Sequence, residues 1–101
     1  MTSKTMLLIC TAGMSSSFLV SKMQETLKER GLDIKISAVS ASEAERKLKT
    51  TPVDYLLLSP QVRYLKPSFE KNLENNKPFI YVIDQMDYGM MNTDKIVDDL
   101  V

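Results

Sequence analysis

Three short apolar runs, Thr5–Ile9, Val53–Leu58 and Phe79–Ile83, are separated by segments with helical spacing. This alternation constrains the fold more than any other feature. A strand covered on both faces reads as a nearly continuous apolar run, and such strands pair in parallel beneath layers of helices. A fourth run differs. Ile34, Ile36 and Ala38 alternate with Lys35 and Ser37, which predicts a half-buried strand at or near an edge.

The intervening segments supply the helices. Phe18, Leu19, Met23 and Leu27 fall at helical spacing within Ser17–Arg30, and Gly31 follows as a stop. Ala41–Lys49 reads as a short helix with a capping-box spacing from Ser42, ended by Pro52. Ser59-Pro60-Gln61 is a turn signal, Pro67–Leu73 is helical, Asn75–Pro78 is a loop, Asp84–Gly89 is irregular, and a last helix starts at Asn92 or Thr93. The order is β-α-β-α-β-α-β-α. Right-handed crossovers leave few arrangements. The predicted fold class is α/β: a single domain over residues 1–101 with a four-stranded parallel sheet in the flavodoxin-like order 2-1-3-4, helices on both faces. In that order ligands sit at the switch point between strands 1 and 3, beyond their carboxyl ends. The loops there are Cys10–Ser17 and Ser59–Gln61.

Composition narrows the chemistry. Lys plus Arg is 13 and Asp plus Glu is 13, so charge gives no reason to expect a nucleic acid or an anionic membrane as partner. There is no histidine, which removes the usual general base, the common metal ligand and any phosphohistidine; neither a metal nor another cofactor is expected. The single cysteine cannot form an internal disulfide and fits a reducing cytosol.

That cysteine, Cys10, closes the first apolar run, and Thr11, Ala12, Gly13, Met14, Ser15, Ser16 and Ser17 lead into the helix. Amides converging at a helix N-terminus form an anion site. They lower a thiol pKa and present donors to a phosphoryl group on the sulfur. The hydroxyls add further donors, and Gly13 lets the backbone approach a ligand. Cysteine phosphatases of low molecular weight carry an arginine six positions after the nucleophile; here that position is Ser16, and no Lys or Arg lies between Cys10 and Lys22. The loop is suited to holding a phosphoryl group and lacks the usual device for hydrolysing it. Three readings stay open on these residues: a phosphoryl carrier, a low-molecular-weight phosphatase or arsenate-reductase-like enzyme, and a binding module whose cysteine is a small apolar filler.

Ile9-Cys10-Thr11-Ala12-Gly13-Met14-Ser15-Ser16-Ser17 with Leu19, Val20 and Met23 resembles the start of the lactose/cellobiose-type enzyme IIB of the bacterial sugar phosphotransferase system. Asp54–Gln61 with Tyr64, and Pro78–Asp84 followed by Tyr88-Gly89, are similar to later segments of the same family. The family commonly has glycine where this chain has Ser59, a change expected to alter local backbone freedom without removing the site. The resemblance implies that Cys10 accepts phosphate from a phosphohistidine of enzyme IIA. The protein then passes it to a sugar of the cellobiose, chitobiose or lactose class held by the membrane enzyme IIC. It also implies a cytoplasmic protein that meets the inner face of the membrane through enzyme IIC. On this reading Thr11–Ser17 bind the phosphoryl oxygens, Ser59, Pro60 and Gln61 form the opposite wall, and Tyr64 and Tyr88 face partners.

Overall fold

The computed structural model describes residues 4–9, 14–72 and 78–100; of residues 14–17 and 72 only the backbone is described. The strands are β1 (Lys4–Ile9), β2 (Ile34–Val39), β3 (Tyr55–Leu58) and β4 (Phe79–Val82). They form one sheet, ordered β2-β1-β3-β4, with every pairing parallel. The helices are α1 (Met14–Glu29), α2 (Ala41–Thr50), α3 (Lys66–Asn72), α4 (Gln85–Gly89) and α5 (Thr93–Leu100), with a 3-10 segment, Pro60–Leu65, ahead of α3.

Strand alternation splits the core in two. Met6 and Leu8 of β1 and Leu57 of β3 face α1 and α5, packing with Leu19, Met23, Leu27, Ile96 and Val97. Leu7 and Ile9 of β1 and Leu56 and Leu58 of β3 face the other way, against Ala44 and Leu48 of α2, Val62, and Phe69 of α3. The apolar runs are continuous because both faces of β1 and β3 are covered. Three layers, helices–sheet–helices, follow from that periodicity.

Several boundaries differ from the sequence expectation, each for a local reason. α1 begins at Met14, not Ser17, so it gains almost a turn over the serines. Phe18, expected on the core face, is 72% exposed; Leu19 and Met23 carry that face instead. The cap of α2 is Ser40, not Ser42: its Oγ accepts from Glu43 N, and Glu43 reaches back to that hydroxyl. Both serines have a glutamate three residues on, and the one preceding the first helical residue is used. Ala38 is exposed, whereas Val39 is buried under α2. β3 starts at Tyr55, because Val53 precedes the ladder and Asp54 turns its carboxylate to Thr5 N at 2.9 Å. The segment Asp84–Gly89 is not irregular: Asp84 caps the five-residue α4 by accepting from Met86 N at 3.0 Å. The expected loop at Asn75–Pro78 lies, except for Pro78, outside the described residues.

α1 is fixed at its far end. Gly31 has φ +71° and closes a Schellman motif, with Gly31 N donating to Lys28 O and Leu32 N to Leu27 O. Arg30 pairs with Asp94 and Asp98 of α5, and those carboxylates raise the guanidinium pKa. Thr26 and Thr93 share a buried hydroxyl–hydroxyl bond of 2.8 Å. Thr26 also donates to Lys22 O at 3.0 Å, so the shared proton belongs to Thr93. α4 and α5 are tied by Lys95 Nζ to the buried Asp87 carboxylate at 3.0 Å.

One free sheet edge is blocked by a side chain. Gln24 of α1 donates from Nε2 to Ile34 O at 2.8 Å and accepts at Oε1 from Ile36 N at 3.2 Å. Its amide imitates the missing neighbour of β2, which protects the edge from pairing with another chain. Replacing Gln24 with Ala strands both main-chain groups. The expected loss is about 1 to 2 kcal/mol of unfolding free energy by urea titration; an unchanged midpoint would mean that water substitutes fully.

Tyr81 on β4 donates to Asp99 Oδ2 at 2.8 Å. Burial first, and then this bond, pushes its phenol well above the ordinary range. An unfolded tyrosine ionises at about pH 10, while the folded one resists. The stability from this linkage is therefore fully present below about pH 10 and is lost as pH rises from there towards the folded value. Thermal melts should fall steeply above about pH 10, and Tyr81→Phe should flatten that fall; an identical alkaline limb in both proteins would contradict the assignment.

Candidate functional site

The carboxyl ends of the strands lie side by side. Ser59 N donates to Ile9 O at 3.1 Å, and Ile83 N donates to Leu58 O at 2.9 Å. β1 therefore ends between β2 and the exit of β3. The first turn of α1, the 3-10 segment and α4 all begin at this edge. Topology thus gathers the segment after β1 and the segment after β3, as the 2-1-3-4 order requires.

Cys10, Thr11, Ala12 and Gly13 lie outside the described residues. What is described is their frame: β1 ends at Ile9 and α1 begins at Met14. The backbone of Met14, Ser15, Ser16 and Ser17 forms the first turn of α1. The first four amides of a helix have no partner within it, and they carry the positive end of the helix dipole. No acidic residue stands in that turn to neutralise it. The extra turn gained by α1 carries this positive end close to the end of β1. An arrangement of this kind favours an anion at the strand–helix junction.

The segment expected to form a second wall, Ser59, Pro60 and Gln61, follows β3 directly. Ser59 is completely buried, and its carbonyl accepts from Val62 N at 3.0 Å. Pro60 opens the 3-10 segment and is half-buried, whereas Gln61 is exposed. Val62 anchors the segment by burying its side chain under the α2–α3 face. Its backbone departs from helical geometry, with φ −116° and ψ 20°, which lets the chain turn from the sheet edge into α3.

The two tyrosines part company. Tyr64 is 70% exposed on the 3-10 segment, whereas Tyr88 is half-buried and packs on the α1–α5 core. Met91 also packs there, in a left-handed conformation with φ 52° that ends α4. Phe18, Met86 and Met90 are each at least 70% exposed. The spacing of Phe18 predicts a core position, and no sequence pattern marks Met86. The only signal for either was position, since both belong to helices that begin at the carboxyl edge. Together with Tyr64 they give this end of the molecule an apolar rim, the kind of surface that transient partners use. Among the described residues no cluster of His, Cys, Asp or Glu has a metal-binding arrangement, and no described helix is long and apolar enough to cross a membrane.

Known proteins place this geometry. The family described as "PTS system, Lactose/Cellobiose specific IIB subunit" matches residues 5–99. The galactose-specific EIIB component of the PTS of Lactococcus lactis subsp. cremoris is 42% identical over 100 residues, 96% of this chain and 93% of that protein. The cellobiose-specific EIIB component of Lactococcus lactis subsp. lactis is 41% identical over the same shares. The oligo-beta-mannoside-specific EIIB component of Bacillus subtilis is 36% identical over 92 residues, 91% of this chain and 87% of that protein. Among solved structures, the cellobiose-specific IIB component from Borrelia burgdorferi superposes with a TM-score of 0.73 at 31% identity, covering 96% of this chain and 87% of that one. The lactose-specific IIB domain from Streptococcus pneumoniae reaches 0.81 over 97% of both chains at 16% identity, a likeness of fold alone. A match over nearly the whole length means that the chain belongs to the lactose/cellobiose-specific IIB subunit family of the sugar phosphotransferase system.

Proposed function

We propose that this protein is a phosphoryl carrier that receives phosphate on Cys10 from a phosphohistidine of an EIIA component. It delivers the group to a sugar of the cellobiose, chitobiose or lactose class bound by a membrane EIIC component, working at the cytoplasmic face. The observation that carries the reading is the frame around position 10. The chain's one thiol follows Ile9 directly, and the first turn of α1, which carries no charged residue, starts four residues later. Membership of the IIB family supports the same role.

In the first step the Cys10 thiolate attacks phosphorus in line with the P–N bond of the donor. The S–P bond forms, the P–N bond breaks, and its electron pair stays on the donor imidazole, which takes up a proton. In the second step a sugar hydroxyl attacks phosphorus, the S–P bond breaks, and the thiolate returns while the hydroxyl proton leaves to a base. The chain's own contribution is positioning and electrostatics. Amides from Thr11 to Ser17 hold the equatorial oxygens and stabilise both the sulfur anion and the charge on the moving group. Ser59, Pro60 and Gln61 close the other side. The exposed Phe18, Tyr64, Met86 and Met90 supply the face on which EIIA and EIIC dock in turn. With no Lys or Arg between Cys10 and Lys22, nothing in the loop adds the fixed positive charge that phosphatases use to drive hydrolysis.

Two outcomes test this. Incubated with a phosphorylated EIIA, the protein should gain one phosphoryl group by intact-mass measurement, and Cys10→Ser should gain none while keeping its circular dichroism spectrum. Labelling of Cys10→Ser at the normal rate would overturn the assignment. Without partners, p-nitrophenyl phosphate should give no steady release of phenolate; sustained turnover would favour a cysteine phosphatase instead.

A further inference from the structure

Ser59 carries the one buried side-chain polar atom, among the described residues, that has no hydrogen-bond partner. The residue is 0% exposed. An orphaned hydroxyl in a protein interior is costly, and alanine or glycine in its place would avoid the cost. Its main chain is satisfied, by Ile9 O through the amide and by Val62 N through the carbonyl. The unspent capacity therefore lies wholly in the side chain.

The position is also directional. Leu57 faces the α1–α5 core and Leu58 faces the α2–α3 core. Ser59 has an extended backbone, φ −65° and ψ 157°. The alternation continues through it and places its side chain on the α1 face. On β1 that face carries Met6 and Leu8, the residues four and two before Cys10 in the chain. Leu58 is the register partner of Ile9; Ser59 and Cys10 follow them in the sequence.

We infer that the Ser59 hydroxyl donates a hydrogen bond to the reacting group of Cys10: to the sulfur anion in the unloaded protein, and to a phosphoryl oxygen in the loaded one. This rests on the carrier reading and adds a named donor from the second wall to the amides of the first. A donor held in place by its own backbone needs little reorganisation as charge moves from sulfur to the phosphoryl oxygens. It supplies directed polarity where the loop has no cationic side chain.

The test compares the full chain with Ser59→Ala and Ser59→Gly. The pH dependence of iodoacetamide alkylation reports the Cys10 thiol, the chain's only one. Loss of a hydrogen bond to a charged acceptor should raise its apparent pKa by about one unit. Phosphoryl uptake from a phosphorylated EIIA should slow about tenfold, the same free energy expressed in a rate. At a pH below the thiol's pKa, where there is no sulfur anion to accept the bond, the melting temperature of Ser59→Ala should stay the same or rise, since no other partner is lost. If the parent thiol is acidic and takes phosphate, and both variants titrate and load identically to it, the Ser59 role is refuted and the carrier reading stands. A lowered melting temperature with an unchanged thiol pKa would likewise make the hydroxyl structural. A parent thiol that titrates like free cysteine and takes no phosphate would remove the carrier reading, and the Ser59 role with it.

Discussion

Strand β1 is hydrogen-bonded on both sides, to β2 along its whole length and to β3 from Met6 to Ile9. Everything else is placed relative to it. Met6, Leu7, Leu8 and Ile9 are all essentially inaccessible to water, and each such side chain contributes about 1.5 to 3 kcal/mol of burial free energy. A strand held on four sides cannot slip: a shift of one residue would exchange its two apolar faces and unpair both ladders. The last residue of β1 is therefore among the most firmly located points of the fold, and it is the one that precedes the thiol.

The same constraint orients α1. Its C-terminal end is stopped by Gly31 and clamped to α5 by Arg30, while Leu19, Met23 and Leu27 lie on the sheet. With that end fixed, the direction of the helix is set, and its first-turn amides are delivered to the carboxyl edge. The carrier role proposed for this protein would gain from such rigidity. The phosphoryl group must be held by donors that do not rearrange, yet weakly enough to leave for an acceptor of similar group potential. Amides and hydroxyls satisfy both conditions, whereas an arginine fork would add charge that favours attack by water. The exposed Phe18, Tyr64, Met86 and Met90 belong to elements that start at the same edge.

Much of the fold was legible because burial on both faces leaves an unmistakable trace. The runs ending at Ile9 and Leu58 identify the central strands, and the polar interruptions at Lys35 and Ser37 identify an edge. Local competition was harder to read. Ser40 and Ser42 offer the same capping spacing, and only the position of the first helical turn separates them. Asp84 caps a helix too short to show a period. Phe18 has the spacing of a core residue but lies one position off the stripe defined by Leu19 and Met23. At the site, the strand–helix junction and the second wall follow from strand order. The burial and orphaned state of Ser59 do not, since a Ser-Pro pair after a strand reads as an ordinary solvated turn. Only the placement of its amide on Ile9 and its complete burial distinguish it.

The central claim is that phosphate resides on sulfur at the junction of β1 and α1. Phosphorus-31 NMR of the intact chain after phosphorylation by the relay addresses this directly, because S-linked, O-linked and N-linked phosphoryl groups resonate in separate ranges. The chain has no histidine and one cysteine, so an S-linked signal can arise from one residue only. A single resonance in the S-phosphoryl range is the expected result. An O-linked resonance, from one of the serines or threonines of the same loop, would contradict it.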